Sequence, residues 1–363
     1  NNTAAAQFNW LFDSVSPTMT ITSTTSGVTD GSTTNDATIA LTFTAGQATT
    51  NFVASDVTVG NGSLSSFSGS GTTYTATFTP SAQGACTIDV AASAFTDAAG
   101  NNNTAAAQFN WLFDSVSPTG AITYSTAGPY KQNATATITA TFTESLTNTP
   151  KIAISGVSST AATNMSGSGT TWTYAYTAPA GDGTETIALS VGTDAAGNVV
   201  AATPSSGSTF VVDNTSPSMT ITAAEVSDGD TSNDATIALT FTAGEATTNF
   251  VASDVTVGNG SLSSFSGSGT TYTATFTPSA QGACTIDVAA SAFTDAAGNN
   301  NTAAAQFNWL FDSVSPTMTI TSTTSGVTDG STTNDATIAL TFTAGQATTN
   351  FVASDVTVGN GSL

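Results

Sequence analysis

Four near-identical turns punctuate this chain at an almost fixed interval. The segment DSVSP begins at Asp13, Asp114 and Asp312, and DNTSP begins at Asp213, giving spacings of 101, 99 and 99 residues. A period of that length is one domain with its own core, and it is too long for a solenoid repeat. Residues 1–64 are identical to residues 300–363, while the stretch 114–212 has diverged. The expected layout is residues 1–12 as the last strand of a preceding domain and whole domains at 13–113, 114–212 and 213–311. Residues 312–363 form the first half of another, so the chain is read as a window into a longer polypeptide.

Within one repeat the apolar residues alternate. TMTIT (18–22), ATIALTFT (37–44) and TTYTATFT (72–79) place Ile39, Leu41 and Phe43, and Tyr74, Ala76 and Phe78, on single faces opposite threonine. DVTV (56–59), SLSSF (63–67), CTIDVA (86–91) and AAAQFNWLF (105–113) supply four more strands, separated by Gly and Asn turns such as SGSG at 68–71. One sheet cannot hide such a face, whereas two stacked sheets can, so the fold class is all-β, a linear array of tandem immunoglobulin-like β-sandwich domains. Trp10, Trp111 and Trp309 are expected in last-strand cores. Trp172 is expected in core at the place of Thr73 or Tyr74. Cys86 and Cys284 occur once per repeat, which forbids a disulfide within a domain. Each reads as a small buried hydrophobe, although Glu185, which aligns with them, points instead to an exposed strand end.

Composition narrows the function. Two basic residues, Lys131 and Lys151, stand against 24 acidic ones, with no Arg and no His. That balance excludes nucleic acid as a partner and offers no positive surface for an anionic membrane. No 18-residue apolar run occurs, so no membrane contact is expected in this segment. Solubility rests on neutral Ser, Thr, Asn and Gly, which fits an extracellular, cell-surface or secreted setting. Without His or Arg, and with no partner for either thiol, the chain is read as non-enzymatic.

The stretch from Leu41 to Asn101, with its strand alternation, its DVTV-x-NG turn and its DAAGN loop, followed by a strand and FDSVSP, resembles the bacterial immunoglobulin-like domains found in tandem in very large surface adhesins. The middle repeat is similar to a related subtype, with FTES at 142–145. The likeness covers essentially the whole chain. It implies a spacer role, and it implies calcium at domain junctions.

FTDAAGN recurs at 95–101 and 293–299, and GTDAAGN at 192–198. If seven strands alternate in direction, the second-to-third and sixth-to-seventh loops lie at the end where the chain enters. Asp13 then nears Asp97 and Asn101, with Gln47 in the other loop. Asp114 nears Asp194, Asn198 and Glu144; Asp213 nears Asp295, Asn299 and Glu245; Asp312 opens the last repeat. Asp30 and Asp36 are expected to face Asp114 from the preceding domain, and Asp228, Asp230 and Asp234 to face Asp312. Such oxygen-only clusters suit a hard cation, Ca²⁺, bound weakly at roughly 10⁻⁴ to 10⁻³ M. The competing reading is that Asp and Asn here only shape turns.

Three functions follow from these features. The first is a spacer or stalk for adhesion, with neighbouring repeats of the same polypeptide as its contacts and any host or biofilm surface ligand engaged by regions outside this window. The second is a filament subunit that self-assembles into fibres through uncharged, threonine-rich strand faces. The third is a glycan- or protein-binding module.

Overall fold

A computed structural model describes residues 3–363. They fall into two compact units, one ending at Thr215 and the next beginning at Ser216.

The first unit opens with β1 (Met19–Ser23), β2 (Ser32–Thr34), β3 (Ile39–Thr49), β4 (Val57–Gly60), β5 (Gly62–Pro80), β6 (Gly84–Val90) and β7 (Phe109–Phe113). One sheet has the order β1-β3-β5 and the other β2-β7-β6-β4. The alternation read from sequence sets the register. Ile39, Leu41 and Phe43 stand opposite Phe78, Ala76 and Tyr74, and all six are buried. Threonines pair on the other face, Thr42 with Thr75 and Thr44 with both Thr73 and Thr20. SLSSF and TTYTATFT are the two arms of one hairpin within β5: the Ser81 amide donates to the Asn61 carbonyl and Ser65 Oγ to the Thr77 carbonyl. At Gly62 a Cβ would lie 2.1 Å from the Phe78 ring and 2.6 Å from the Thr79 carbonyl, so only glycine lets that arm close over the core.

Two features differ from the sequence expectation. The last strand covers only Phe109–Phe113, and β2, which pairs parallel with it from Ser32↔Trp111 to Thr34↔Phe113, was not expected. β2 carries no apolar alternation, because it caps a sheet edge and its backbone partners alone define it.

The second half of this unit contains β8 (Gly120–Tyr124), β9 (Thr135–Leu146), β10 (Lys151–Ser155), β11 (Ser159–Asn164), β12 (Ser166–Thr177), β13 (Gly183–Ser190) and β14 (Thr209–Val212), in sheets β12-β9-β8 and β11-β10-β13-β14. Its core, centred on Ile138, Ile152, Ile187 and Val212, is separate from the first. Trp172 faces Ala140 where Tyr74 faces Phe43. A larger ring is thus matched by a smaller neighbour, which conserves core volume.

Glu185 corrects the expectation of an exposed strand end. It pairs with Phe210 as Cys86 pairs with Trp111, and both Glu185 and Cys86 are fully buried. Oε1 accepts hydrogen bonds from the Ser158 amide, 2.8 Å, and the Tyr176 hydroxyl, 3.2 Å. Burial foremost, with the Glu185 charge adding to it, pushes the Tyr176 hydroxyl far above its ordinary pKa and keeps it a donor. Replacing Glu185 with Ala strands both donors and leaves a void, at an expected cost of about 2–4 kcal/mol to the middle sandwich. Glu185→Gln retains an acceptor and is expected to cost less than half as much; urea denaturation of the two variants checks the order.

The second unit repeats the first pattern: β15 (Met219–Ala223), β16 (Thr231–Ser232), β17 (Ile237–Thr247), β18 (Val255–Gly258), β19 (Gly260–Pro278), β20 (Gly282–Val288) and β21 (Phe307–Phe311) enclose a core that buries Cys284 and Trp309. β22 (Met318–Ser322) and β23 (Leu340–Ala344) then form a two-stranded sheet. Trp10 does not follow Trp111 and Trp309. It is 76% exposed, because no described residue supplies the strand that β6 supplies to Trp111.

Candidate metal centre

Each repeat begins on the same local device. The carboxylates of Asp13, Asp114, Asp213 and Asp312 accept a hydrogen bond from the amide two residues on, at 2.9–3.1 Å. This Asx turn starts the domain and explains the fixed DxxSP spacing. The DAAGN loops are a second device. In the first, Asp97 Oδ1 accepts from the amides of Ala99 and Asn101, while Asn101 Nδ2 donates to Asp97 Oδ2 and to the Asp13 carbonyl. The side-chain bond from Asn101 is the leading reason that the Asp97 carboxyl is held below its ordinary pKa. The loop thus fastens the incoming segment to the last hairpin.

In the middle sandwich the same clamp carries a third carboxylate. Asn198 Nδ2 donates to Asp194 Oδ2 and to the Asp114 carbonyl, both at 2.9 Å, and the Asn198 amide donates to Asp194 Oδ1. Glu144 arrives near the end of β9. One oxygen from each of Asp114, Glu144 and Asp194 lies within 4.8 Å of the others. Asp194 is buried, and the other two are half-buried. Burial foremost, and then the charges of Asp114 and Asp194, raise the pKa of Glu144. Three acids are gathered here on a chain whose basic residues are Lys131 and Lys151. A divalent cation with oxygen ligands fits this donor set.

Other expected site residues take different places. Gln47, at the position of Glu144, donates Nε2 to the Val15 carbonyl at 2.9 Å, so the Asp13 and Asp97 end carries one acid fewer. In the second unit, Glu245 and Asp295 each bring an oxygen within 4.8 Å of the other, and Asn299 clamps Asp295 as Asn198 clamps Asp194. Asp213 closes the first unit, its amide bonded to the Tyr130 carbonyl. The Asp312 amide bonds to the Ser232 carbonyl.

Asp30 does not face Asp114. It is held at Asn110, accepting from the amide and Nδ2, while Asp228 does the same at Asn308, and Asp36 is engaged by Thr34. The residue that does reach the middle cluster from the preceding sandwich is Asn35. Its Nδ2 donates to Asn198 Oδ1 at 3.1 Å and its amide to the Ala196 carbonyl. The Asp114 amide in turn donates to the Thr34 carbonyl. Sequence reading missed Asn35, because one Asn in a turn carries no signal until the neighbouring loop is placed against it. It also missed Asn103, a buried side chain that accepts from the Phe95 amide and donates to the carbonyls of Ala91 and Thr104.

Comparison with known proteins yields one family. A model of the bacterial Ig-like domain matches residues 13–112 and 213–310. No curated protein matches. Among solved structures, invasin, a bacterial integrin-binding protein, is 16% identical with a TM-score of 0.33; the alignment covers 85% of this chain and 62% of that one. A tetra-tandem repeat from the extending region of a large adhesion protein is 15% identical with a TM-score of 0.27, covering 85% and 78%. This chain therefore spans less than two thirds of invasin.

Proposed function

The chain belongs to the bacterial Ig-like domain family, and from that premise we propose that it is a spacer segment of an extracellular surface protein, built from successive modules at residues 13–113, 114–212 and 213–311. The carrying observation is that two modules are near copies, differing between Asp36 and Trp111 only in that Gln47 becomes Glu245. Recognition modules diversify their loops on a constant scaffold, whereas a spacer needs only reach. A sandwich with strands of about eight residues plus loops adds roughly 40 Å.

The middle junction suggests how that reach is kept. Asn35, Thr34 and Asp114 already bond the first sandwich to the middle one, and Ca²⁺ held by Asp114, Glu144 and Asp194 neutralises acids that otherwise repel. The ion's role is mechanical. A filament is the second reading, favoured by the uncharged threonine ladders Thr20–Thr44–Thr73 and Thr22–Thr42–Thr75, exposed except for the half-buried Thr42, which can meet a like face without desolvating charge. Negative-stain electron microscopy of the native protein separates the two. Thin, isolated strings of beads support the spacer, and ordered thick fibres overturn it in favour of lateral assembly.

A further inference from the structure

The edge of one sheet is covered in two sandwiches and open in the third. In the first sandwich β2 runs parallel to β7, the Gly31 amide donates to the Asn110 carbonyl, and Asp30 Oδ1 accepts from the Asn110 amide. β16 covers β21 in the same parallel sense. The middle sandwich has no such strand among the described residues. Its connector is four residues shorter, 125–137 inside the pair Tyr124↔Ile138 against 24–40 inside the pair Ser23↔Leu41. It reaches β14 at Tyr130, whose amide donates to the Val211 carbonyl and whose carbonyl accepts from the Asp213 amide. Tyr130 thus pairs with Val212 as Thr34 pairs with Phe113, and no described residue pairs at the places of Ser32 and Thr33.

Strand alternation aims the amide and carbonyl of Thr209 and the amide of Val211 away from β13, on the side where the Val211 carbonyl meets Tyr130. Against them lies a cleft of about 400 Å³, lined by Tyr124, Pro129, Tyr130 and Phe210. Tyr130 and Phe210 are buried and close its back. Tyr124 and Pro129 are half-buried, Thr209 is exposed, and Val211 is 45% exposed, so the edge itself is open to solvent. The Tyr124 hydroxyl, donating to the Gly207 carbonyl, fixes the far wall. Outward backbone groups beside an apolar cleft are completed by an extended peptide, whose main chain takes the edge and whose side chain takes the cleft. The two covered edges show that a short extended segment fits such a place. With 24 acidic residues against two basic ones, the long-range field of this chain favours a basic segment and disfavours another copy of itself.

We propose that the β14 edge from Thr209 to Val211, with the cleft of Tyr124, Pro129 and Phe210, binds an extended basic peptide that adds parallel to β14 as β2 adds to β7. The site goes beyond the spacer reading and agrees with it. It belongs to the diverged middle sandwich, whereas the two near copies cover the same edge with their own chain.

Fluorescence anisotropy on the full chain tests this with the labelled peptide amide Lys-Thr-Val-Thr-Val-Lys. Saturable binding is expected at a single site per chain, with a Kd on the order of 10⁻⁴ M. Methylating alternate backbone amides of the peptide removes its edge donors and keeps its side chains, and is expected to weaken binding at least about tenfold. Exchanging its two lysines for glutamates is expected to weaken binding too. Val211→Pro deletes one outward amide and leaves both the ladder to β13 and the carbonyl bonded to Tyr130, so the same loss is expected with little change in melting midpoint. A chimera with residues 24–40 in place of 125–137 supplies the missing strand and is expected to abolish binding with the β14 sequence intact. Lack of saturation up to about 5 mM peptide overturns the proposal. So does undiminished binding of the methylated or glutamate peptide, or undiminished binding to folded Val211→Pro or to the chimera.

Discussion

Replacing Phe78 with Ala is expected to remove about 3–5 kcal/mol from the first sandwich and to leave the middle and third sandwiches unchanged. Phe78 is fully buried, its ring meets Trp111 at 4.8 Å and 81°, and Gly62 packs directly on it. The void has little to collapse into, since both flanking elements are fixed by strand pairing. For a domain near 100 residues this is a fall in melting temperature of roughly 15–30 °C. It stays local because the three cores share no residue. Limited proteolysis on a temperature ramp, read by mass spectrometry, should show cleavage within residues 13–113 well before the other sandwiches. Simultaneous cleavage of all three would mean that they fold as one cooperative body.

Calcium is expected to stabilise the middle sandwich by about 1–2 kcal/mol at a few millimolar, because a site assembled from Asp114, Glu144 and Asp194 exists only in the folded state. Glu144→Gln is expected to abolish that response and, in chelator, to raise stability above that of the unsubstituted protein. The sign follows from the pKa. Burial and two neighbouring acids hold the Glu144 value above its ordinary 4.5, so the folded state binds the proton more tightly than the unfolded one. The penalty is absent below pH 4.5, grows as pH rises from there towards the raised value and is fully present above it. Asp97 has the opposite sign, since its lowered value contributes stability that is lost on acidification. Asp89→Asn, on a β6 side chain bonded to Gln108, serves as a control with calcium dependence intact. Calorimetry across Ca²⁺ and pH decides it: a flat calcium titration, together with Glu144→Gln melting no higher in chelator, leaves the acids as turn formers.

The repeat, the strand alternation and the Asx turns were legible in the sequence because each depends on neighbours within a few residues. The convergence of Glu144 on Asp194 was legible as topology, because counting strands says which loops share an end. Asn35 was not, and neither was the clamp role of Asn198, since both depend on how one loop rests on another. The chain also contains its own experiment. Residues 13–64 and 312–363 are the same sequence. In both, the Met-Thr-Ile-Thr strand pairs with the Leu-Thr-Phe-Thr strand in one register, and the short turns survive, with Thr34 on Asp36 matched by Thr333 on Asp335 and Val53 on Asp56 by Val352 on Asp355. Burial is a separate matter: in the first sandwich Ile21 and Leu41 are buried, which pairing within one sheet cannot achieve. Sequence alone determined the local hydrogen bonds and which face is apolar, because those close within a hairpin or a turn. Burial was decided only by the second sheet, whose strands β6 and β7 provide both the backbone partners and the opposing apolar face that exclude water.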